Sequence, residues 1–310
     1  MQYPAHIRIA TRSSKLALAQ AYLVRDALSK AAQVQGFDLL CEIIPMQTSG
    51  DKNLDHPLSE IGGKGLFTKE LETSLLTKTT DIAVHSLKDM PTQLPEGLIL
   101  GAVLEREDPS DVLVSDYPSL EALPNLATVG TSSLRRAALV KSVRPDLNII
   151  PFRGNVNTRL EKIRARTADA TLLALAGLKR LGLESHASCI LDPAVFTPAV
   201  GQGVICIECR EGDAVTMALL QHIHHAQTQY AVDAERSLLR VLDGSCRTPI
   251  GGYASLSQNT LTLRGFVATL DGSTYWRTER IGSADDAVRM GEDAGRELKA
   301  RAGSAVFSHD

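Results

Sequence analysis

Lys88 and Asp89 stand where a buried strand is expected to open into a loop. The segment DIAVHSLKDMP begins with apolar and β-branched residues, which favour a buried strand, and Pro91 ends the run. A carboxylate and an ammonium group side by side at such a place could bind charged groups or transfer a proton. The alternative is a carboxylate that only caps a turn.

Hydroxyl and guanidinium groups come together in the segment GTSSLRR, which follows one predicted strand and begins a predicted helix. Free backbone N–H groups and the positive end of a helix dipole attract anions there. Two guanidinium groups are suited to binding carboxylate or phosphate. The residues concerned are Thr131, Ser132, Ser133, Arg135 and Arg136. Taken alone, an ordinary serine cap followed by solvated arginines explains this segment equally well.

The segment FRGNVNTR repeats this layout one strand and one helix later. Arg153 falls in the turn, Asn155 can cap the helix, and Arg159 lies one turn into it. Two successive junctions of this kind favour an anion site over two unrelated caps. Lys179 and Arg180 could extend the site, although a solvated helix end explains them as well.

The first strand-to-helix junction, ATRSS, places Arg12 at a similar strand end, with Ser13 or Ser14 as the helix cap. The range 131–180 holds eleven Lys and Arg against three Asp and Glu, within a chain of net charge −3. A local basic surface in an acidic protein indicates an anionic ligand, and the overall charge argues against nucleic-acid binding.

Lys64 lies among three glycines in the segment GGKGLFTKELE, just before an amphipathic helix with Phe67, Leu71 and Leu75 on one face. The segment is not a phosphate-binding P-loop, because its spacing differs and no Ser or Thr follows the lysine. A cationic loop of this kind could close over a ligand. It could equally be an ordinary surface loop.

The five cysteines do not indicate a disulfide framework, since their number is odd and no secretion signal is recognisable. Cys206 and Cys209 have C-x-x-C spacing but fall in an apolar strand, so burial is expected there rather than redox or metal chemistry. Cys246 differs, because it lies in the glycine-rich segment DGSCRTPIGG beside Arg247, which favours its thiolate. An incidental loop thiol remains the alternative.

The histidine-rich segment HIHH suggests a metal site at first sight. Its histidines are His222, His224 and His225, and no carboxylate cluster accompanies them. A solvated helix end is therefore expected, and no metal site is predicted.

Short apolar runs alternate with longer amphipathic patterns through most of the chain, which predicts α/β units with largely parallel sheets. Ligands in such sheets bind at loops beyond the carboxyl ends of strands, where HSLKD, GTSS and FRGN all fall. From about residue 226, a helix, three strand-like runs and a closing helix predict a small separate α+β domain.

The chain of 310 residues, 44% of them hydrophobic, is long enough for two or three domains. Its apolar runs are far shorter than the ~20 residues that a bilayer requires, and its start has no apolar signal core. A cytoplasmic protein without a membrane partner is therefore expected.

Nine segments occur in the order and approximate spacing of one known family, and through them the chain resembles the porphobilinogen deaminases, also called hydroxymethylbilane synthases. They are ATRSSKLALAQA, TSGDK, GGKGLFTKELE, DIAVHSLKDMP, GTSSLRRAAL, RGNVNTRL, ALAGLKRLGL, PAVGQGVICIECR and DGSCRTPIGG. The match runs from about residue 6 to 252, and the last domain matches more in shape than in motif. Ala19 and Ser245 depart from the family pattern, at positions where no role is expected.

The resemblance implies a reaction and a cofactor. Four porphobilinogen molecules are joined head to tail with loss of ammonia, giving hydroxymethylbilane for tetrapyrrole and haem biosynthesis. A covalent dipyrromethane cofactor is implied, held by a thioether at the loop cysteine, here Cys246, with no metal or nucleotide. The resemblance also suggests a monomer.

The resemblance further implies three domains. Two are α/β domains of the periplasmic-binding-protein type joined by a hinge, and the third is a small C-terminal α+β domain that carries the cofactor cysteine. The expected ranges are 1–104 with 200–224 for the first, 105–199 for the second and 225–310 for the third.

The resemblance also assigns roles to residues. Asp89 is expected to stabilise positive charge on pyrrole nitrogen as ammonia leaves, and Lys88 to keep it ionised or to pair with a substrate carboxylate. Because each pyrrole carries an acetate and a propionate, arginines are expected to bind the growing chain. Expected at the cofactor are Cys246, Arg12, Ser14, Lys64, Thr131, Ser132, Ser133, Arg135, Arg136, Arg153 and Arg159. Expected at the substrate are Arg12, Phe67, Arg153, Arg159, Arg180, Gln202 and Gly203.

Two other functions are alternatives to this one. A noncatalytic anion-binding protein of the periplasmic type would share the architecture, but it would need export and would have no use for a loop cysteine. The effector module of a transcription regulator would carry a helix-turn-helix segment, whereas this chain begins directly with a predicted strand.

Overall fold

A computed structural model describes residues 3–52, 65–242 and 248–307 of the chain. Within these ranges the strands are, in chain order, β1 His6–Arg12, β2 Leu40–Met46, β3 Ile82–Ser86, β4 Leu98–Val103, β5 Asp111–Ser115, β6 Thr128–Gly130, β7 Asn148–Ile150, β8 Ala170–Ala174, β9 Cys189–Ile190, β10 Ile205–Arg210, β11 Ile250–Ser257, β12 Thr260–Ala268 and β13 Tyr275–Ser283. The helices are α1 Lys15–Gln35, α2 Ser49–Lys52, α3 Lys69–Leu76, α4 Leu134–Val143, α5 Val156–Arg164, α6 Leu175–Lys179, α7 Ala214–Leu220, α8 Ala226–Val241 and α9 Ala287–Ala302.

The chain forms two compact units, one of residues 1–107 with 204–229 and the other of residues 108–203 with 230–310. The first unit is built on a five-stranded sheet of order β2-β1-β3-β10-β4. β1 runs parallel to β2 and β3, whereas β10 runs antiparallel to β3 and β4. The chain therefore leaves this sheet after β4 and returns to it much later, between two strands already in place.

Helices cover both faces of the first sheet. α1 packs on one face, where Val24 and Leu28 join the core of Ile7, Ile9 and Ile207. α3 packs on the other face, and its leucines join a second core. Because both faces are covered, β3 is buried at every residue from Ile82 to His85. Its sequence is therefore almost continuously apolar and does not alternate between apolar and polar residues.

The second unit repeats this architecture with the sheet order β7-β6-β8-β5-β9. β6 is parallel to β7 and β8, while β5 is antiparallel to β8 and β9. The same unit holds an antiparallel sheet of β11, β12 and β13, against which α9 packs. Phe266 and Ala268 of β12 extend into the core of the five-stranded sheet, which ties the small sheet to it.

α8 and α9 approach each other closely because α9 presents glycine to α8. A Cβ atom added at Gly291 would lie 2.1 Å from the carbonyl oxygen of Ala234, and one added at Gly295 would lie 2.8 Å from Cβ of Val241. Only a residue without a side chain permits this backbone contact. The pair of helices therefore depends on these two positions.

The α/β class, with two separate α/β sheets and a small C-terminal α+β element, is confirmed. The expectation of largely parallel sheets is only partly met, since each five-stranded sheet contains an antiparallel strand. The division into three domains with the boundaries given above stays a prediction.

Gly291→Val is expected to lower the free energy of unfolding by about 3 kcal/mol or more, because the new side chain overlaps the backbone of α8. Urea unfolding of the full chain measures the change. The matched control is Arg296→Ala, an exposed position on the same helix, for which a change within about 0.5 kcal/mol is expected. Equal stability of the two variants would contradict the packing.

Candidate active site

A pocket in the first unit brings together four of the residues singled out by the sequence. Arg12, Ser14, Phe67 and Asp89 line it. The remaining lining residues are Leu16, Ala17, Gln20, Thr68, Val84, His85 and Ser86. The pocket lies at the carboxyl end of β3, as the α/β pattern predicted.

Asp89 is held at this pocket by buried residues on either side of it. β3 ends at Ser86, and a 3-10 helix, Leu87–Asp89, follows directly. Leu87 and Met90 are buried, whereas Lys88 and Asp89 are exposed. The N–H of Leu87 donates to the carbonyl oxygen of Val204 at 3.0 Å, which fixes the start of this turn to the chain entering β10. The carboxylate is therefore exposed but its backbone is not free to move.

Arg12 is the last residue of β1 and lies against an aromatic ring. Its guanidinium carbon is 4.3 Å from the centre of the Phe67 ring, within the range of a cation–π contact. Ser14 begins α1 as its N-cap, with its hydroxyl oxygen accepting the N–H of Ala17 at 3.3 Å. The strand end and the helix start thus deliver a cation and a hydroxyl to the same pocket.

Gln20 and Ser86 line the pocket but were not predicted. The side-chain amide of Gln20 donates to the hydroxyl of Ser86 at 2.8 Å, joining α1 to the end of β3. Gln20 is buried among Ala17, Ala21 and Val24 on the core face of α1. The sequence does carry one sign of this contact, because Gln20 is a polar residue on the otherwise apolar face of α1.

Arg135 and Arg136 are buried in the second unit, where both form ion pairs with Asp111. The distances are 2.8 Å from Arg135 Nη1 to Oδ2 and 2.7 Å from Arg136 Nη2 to Oδ1. Burial alone would raise the pKa of Asp111, but the two guanidinium groups hold it well below its usual range. Asp111 was not predicted, since an aspartate before an apolar run reads as an ordinary strand start.

Gln202 joins this cluster. Its side-chain amide donates to Oδ1 of Asp111 at 2.9 Å and to the carbonyl oxygen of Pro109 at 2.7 Å. The neighbouring Gly201 donates its N–H to the fully buried carboxylate of Glu235 at 2.7 Å. The GQG segment is thus held by two buried carboxylates that the sequence did not single out.

Arg159 lies near two other guanidinium groups, those of Arg136 and Arg153. Burial, followed by repulsion from the other two guanidinium groups, lowers the pKa of Arg159 to about 10. Its Nε donates to the carbonyl oxygen of Gly154 at 2.9 Å, which holds the side chain beside the turn. An anion bound here would relieve the repulsion.

The three hydroxyl residues of GTSS have local backbone partners. The oxygens of Thr131, Ser132 and Ser133 accept N–H groups of Ser133, Phe152 and Arg136, respectively, at 3.0–3.4 Å. A hydroxyl that accepts a backbone N–H still has its own hydrogen to donate. The turn can therefore be ordered and still offer donors to an anion.

Other predicted residues lie elsewhere or beyond the described ranges. Arg180 follows α6, and its Nη2 donates to the carbonyl oxygen of Gly203 at 2.6 Å. Lys64 and Cys246 fall outside the described residues. Cys206 and Cys209 are buried in β10, as predicted.

Within residues 3–52, 65–242 and 248–307, no group of three or more His, Cys, Asp and Glu side chains is placed to hold a metal ion. Over the same ranges, none of the helices combines the length and the apolar character that crossing a membrane requires.

The donor groups of the second unit fit a polycarboxylate ligand. Arg136 and Arg153 both repel Arg159. The GTSS hydroxyls lie between β6 and α4, and β7, which precedes Arg153, is the parallel neighbour of β6. Guanidinium and hydroxyl donors are the groups that bind carboxylates most directly. A ligand with several acidic side chains suits this set, whereas a cationic ligand does not.

Two family models match the chain. Residues 7–218 match "Porphobilinogen deaminase, dipyromethane cofactor binding domain" and residues 229–300 match "Porphobilinogen deaminase, C-terminal domain". A porphobilinogen deaminase of Nitrobacter winogradskyi is 51% identical over 301 residues, covering 97% of this chain and 95% of the relative. One of Syntrophobacter fumaroxidans is 50% identical over 293 residues, covering 94% of each. Among solved structures, the periplasmic VFT2 domain of BvgS from Bordetella pertussis aligns at 13% identity, covering 71% of this chain and 86% of that one, with a TM-score of 0.42.

Asp111→Asn is expected to lower the free energy of unfolding by about 3–5 kcal/mol, because it leaves two buried guanidinium groups without their carboxylate. Urea unfolding at neutral pH measures the change. Asp146→Asn is the matched control, since it removes an aspartate from a pair with Arg144 at the surface of the same unit, and a much smaller change is expected. Equal losses in the two variants would show that the Asp111 cluster does not stabilise the unit.

Proposed function

Because the chain belongs to the porphobilinogen deaminase family, it polymerises porphobilinogen into hydroxymethylbilane with release of ammonia in tetrapyrrole biosynthesis, and we propose that Asp89 is its central catalytic residue. The family match covers nearly the whole chain, and it includes the dipyrromethane-binding domain. A noncatalytic anion-binding protein is not favoured.

One observation carries the proposal for Asp89. Its exposed carboxylate lines the same pocket as the guanidinium of Arg12 and the hydroxyl of Ser14. A pyrrole with acidic side chains needs a cation for its carboxylates and an acceptor for its N–H, and this pocket offers both. Asp89 would accept the pyrrole N–H and stabilise the positive charge that develops on that ring when ammonia leaves.

Fixed geometry makes such stabilisation effective. Leu87 and Met90 anchor the turn, so the carboxylate does not need to reorganise as charge develops. Lys88, exposed next to Asp89, is proposed to pair with a substrate carboxylate or to keep Asp89 ionised. Phe67 is proposed to contact the substrate as well, while it orients Arg12.

The dipyrromethane is proposed to be held by a thioether at Cys246 and by cationic and hydroxyl groups. When bound, it supplies the pyrrole carbon to which the first substrate unit is joined. Arg153 and Arg159 are the strongest candidates for its carboxylates, because a bound anion would relieve the repulsion that Arg159 feels from its neighbouring guanidinium groups. The remaining proposed contacts are Arg12, Ser14, Lys64, Thr131, Ser132, Ser133, Arg135 and Arg136.

The arginines need not contribute equally. Arg135 and Arg136 already share the carboxylate of Asp111, which offsets one of their two positive charges and fixes both side chains within the protein. We propose that these two mainly hold the GTSS turn in place, while Arg153 and Arg159 bind the ligand. Arg180, Gln202 and Gly203 are proposed at the substrate, with the Arg180–Gly203 contact holding the segment in shape.

Cytoplasmic location, a monomeric state, and the absence of nucleic-acid and membrane partners are proposed on the strength of the family resemblance.

The intact mass of the purified, denatured full chain is expected to exceed the mass of the polypeptide by one dipyrromethane, since a thioether survives denaturation. Mass spectrometry measures it. Cys246→Ser is the control and should show the polypeptide mass alone, because serine oxygen does not form the thioether. An unmodified mass from active enzyme would contradict the attachment.

Asp89→Asn is expected to lower turnover by about 10²–10⁴-fold, because the amide cannot stabilise positive charge as a carboxylate does. Hydroxymethylbilane formation measures turnover, and the mass measurement shows whether the cofactor is still bound. Asp26→Asn, an exposed aspartate in the same unit, should leave turnover unchanged. Near-normal turnover in Asp89→Asn with full cofactor content would contradict the assignment of Asp89 as the central catalytic residue.

A further inference from the structure

A histidine and two glutamates are buried together in the first unit, directly behind the Asp89 pocket. His85 Nε2 lies 3.1 Å from Oε2 of Glu208, and their side chains are 4% and 0% exposed. Glu72 of α3 lies close to both and is also buried. Ionisable groups are rarely buried without a reason, so this cluster requires an explanation.

The sheet geometry accounts for how the three side chains meet. In the antiparallel pairing of β3 and β10, His85 is opposite Cys206 and Ala83 is opposite Glu208. His85 and Glu208 are therefore diagonal neighbours on one face of the sheet, within reach of long side chains. Ala83 shares that face and packs against the leucines of α3, so the helix that carries Glu72 covers it.

Buried oxygens in this cluster lack hydrogen-bond donors. Among the residues that the structure describes, Oε1 of Glu72 and Oε1 of Glu208 have no hydrogen-bond partner. Two ionised carboxylates in such surroundings would be costly. One proton on the cluster lowers that cost, because it neutralises a carboxylate and supplies a donor.

Glu72 is the residue that carries this proton. Burial raises its pKa, and among its charged neighbours Glu208 on β10 and Glu70 on α3 raise it further, whereas His85 on β3 lowers it. Thr68 also lowers it, but burial outweighs both. The cluster therefore holds an exchangeable proton.

The cluster reaches the pocket through two of its members. His85 and Thr68 line the pocket together with Asp89. Because Glu208 engages Nε2, the ring nitrogen left for exchange with the pocket is Nδ1. A histidine oriented by a carboxylate on one nitrogen is a common arrangement for proton transfer through the other.

The proposed reaction requires proton transfer at this place. In each coupling the substrate ammonium group leaves as ammonia, and the attacked pyrrole carbon loses its proton when the new carbon–carbon bond has formed. The C–N bond breaks, the C–C bond forms, and the released proton ends on ammonia as ammonium. A group near Asp89 has to take up the proton between these events.

We propose that His85, backed by Glu208 and Glu72, is the proton-transfer site of the Asp89 pocket, and this rests on the function proposed above. His85 accepts the proton of the attacked pyrrole carbon at Nδ1 and then passes it to the released ammonia, which becomes ammonium. Glu208 and Glu72 are positioning residues: Glu208 orients the ring, and Glu72 shares its proton with the pair. Asp89 is then left to stabilise charge.

Carboxyl ¹³C NMR of the full chain with labelled glutamate tests the proton store without reference to activity. Glu72 is expected to ionise at a higher pH than the exposed glutamates, and its signal should disappear in Glu72→Gln. In Glu208→Gln the pH at which Glu72 ionises should fall, because a neighbouring negative charge is lost. A wild-type spectrum in which every glutamate ionises at the pH of the exposed ones overturns the proposal, even if no variant folds.

Turnover of His85→Gln tests the transfer itself. Glutamine can still donate a hydrogen bond to Glu208 but cannot take up a proton, so kcat should fall about 100-fold with KM little changed. His222→Gln is the matched control, because that histidine bonds to Tyr3 in the same unit and does not line the pocket, and its kcat should be normal. A His85→Gln variant with full cofactor mass and kcat within twofold of wild type overturns the proposal. Failure of the wild type to make hydroxymethylbilane would instead overturn the proposed function.

Discussion

The two five-stranded sheets are covered by helices on both faces, and this constraint determines where charge can be placed. A strand buried on both faces accepts an ionisable side chain only where a partner compensates it, or where the strand ends. Arg12 and Asp89 follow the second route, at the ends of β1 and β3. Glu208, within β10, and Asp111, the first residue of β5, follow the first route, because each lies beside a buried basic side chain.

This division separates the arginines by what they can do. The pairs with Asp111 stabilise the unit, and the one carboxylate offsets one of the two positive charges of Arg135 and Arg136. Arg159 is instead repelled by two neighbouring guanidinium groups, and an anion would relieve that repulsion. Residues that look alike in the motifs GTSSLRR and RGNVNTRL therefore have different electrostatic surroundings, and only the fold distinguishes them.

Much of the fold and part of the site could be predicted from the sequence, and the reason lies in what is local. Alternating apolar runs and helix caps are local signals, so the strand ends carrying Arg12 and Asp89 were predicted correctly. The direction of β10 was not, because an apolar run carries no sign of its orientation. Pairs such as Gln20 with Ser86, 66 residues apart, and His85 with Glu208, 123 apart, depend on which strands become neighbours. No spacing in the sequence predicts these two pairs.

The stacking of Arg12 on Phe67 bears on how one pocket could serve a chain that lengthens. An aromatic face orients a guanidinium without cancelling its charge, and the contact is worth only about 0.5–1 kcal/mol near the surface. A guanidinium held in this way can release the carboxylate of one pyrrole unit and bind that of the next with only a small cost in free energy. Arg12 would therefore present the same positive charge to every unit that is added.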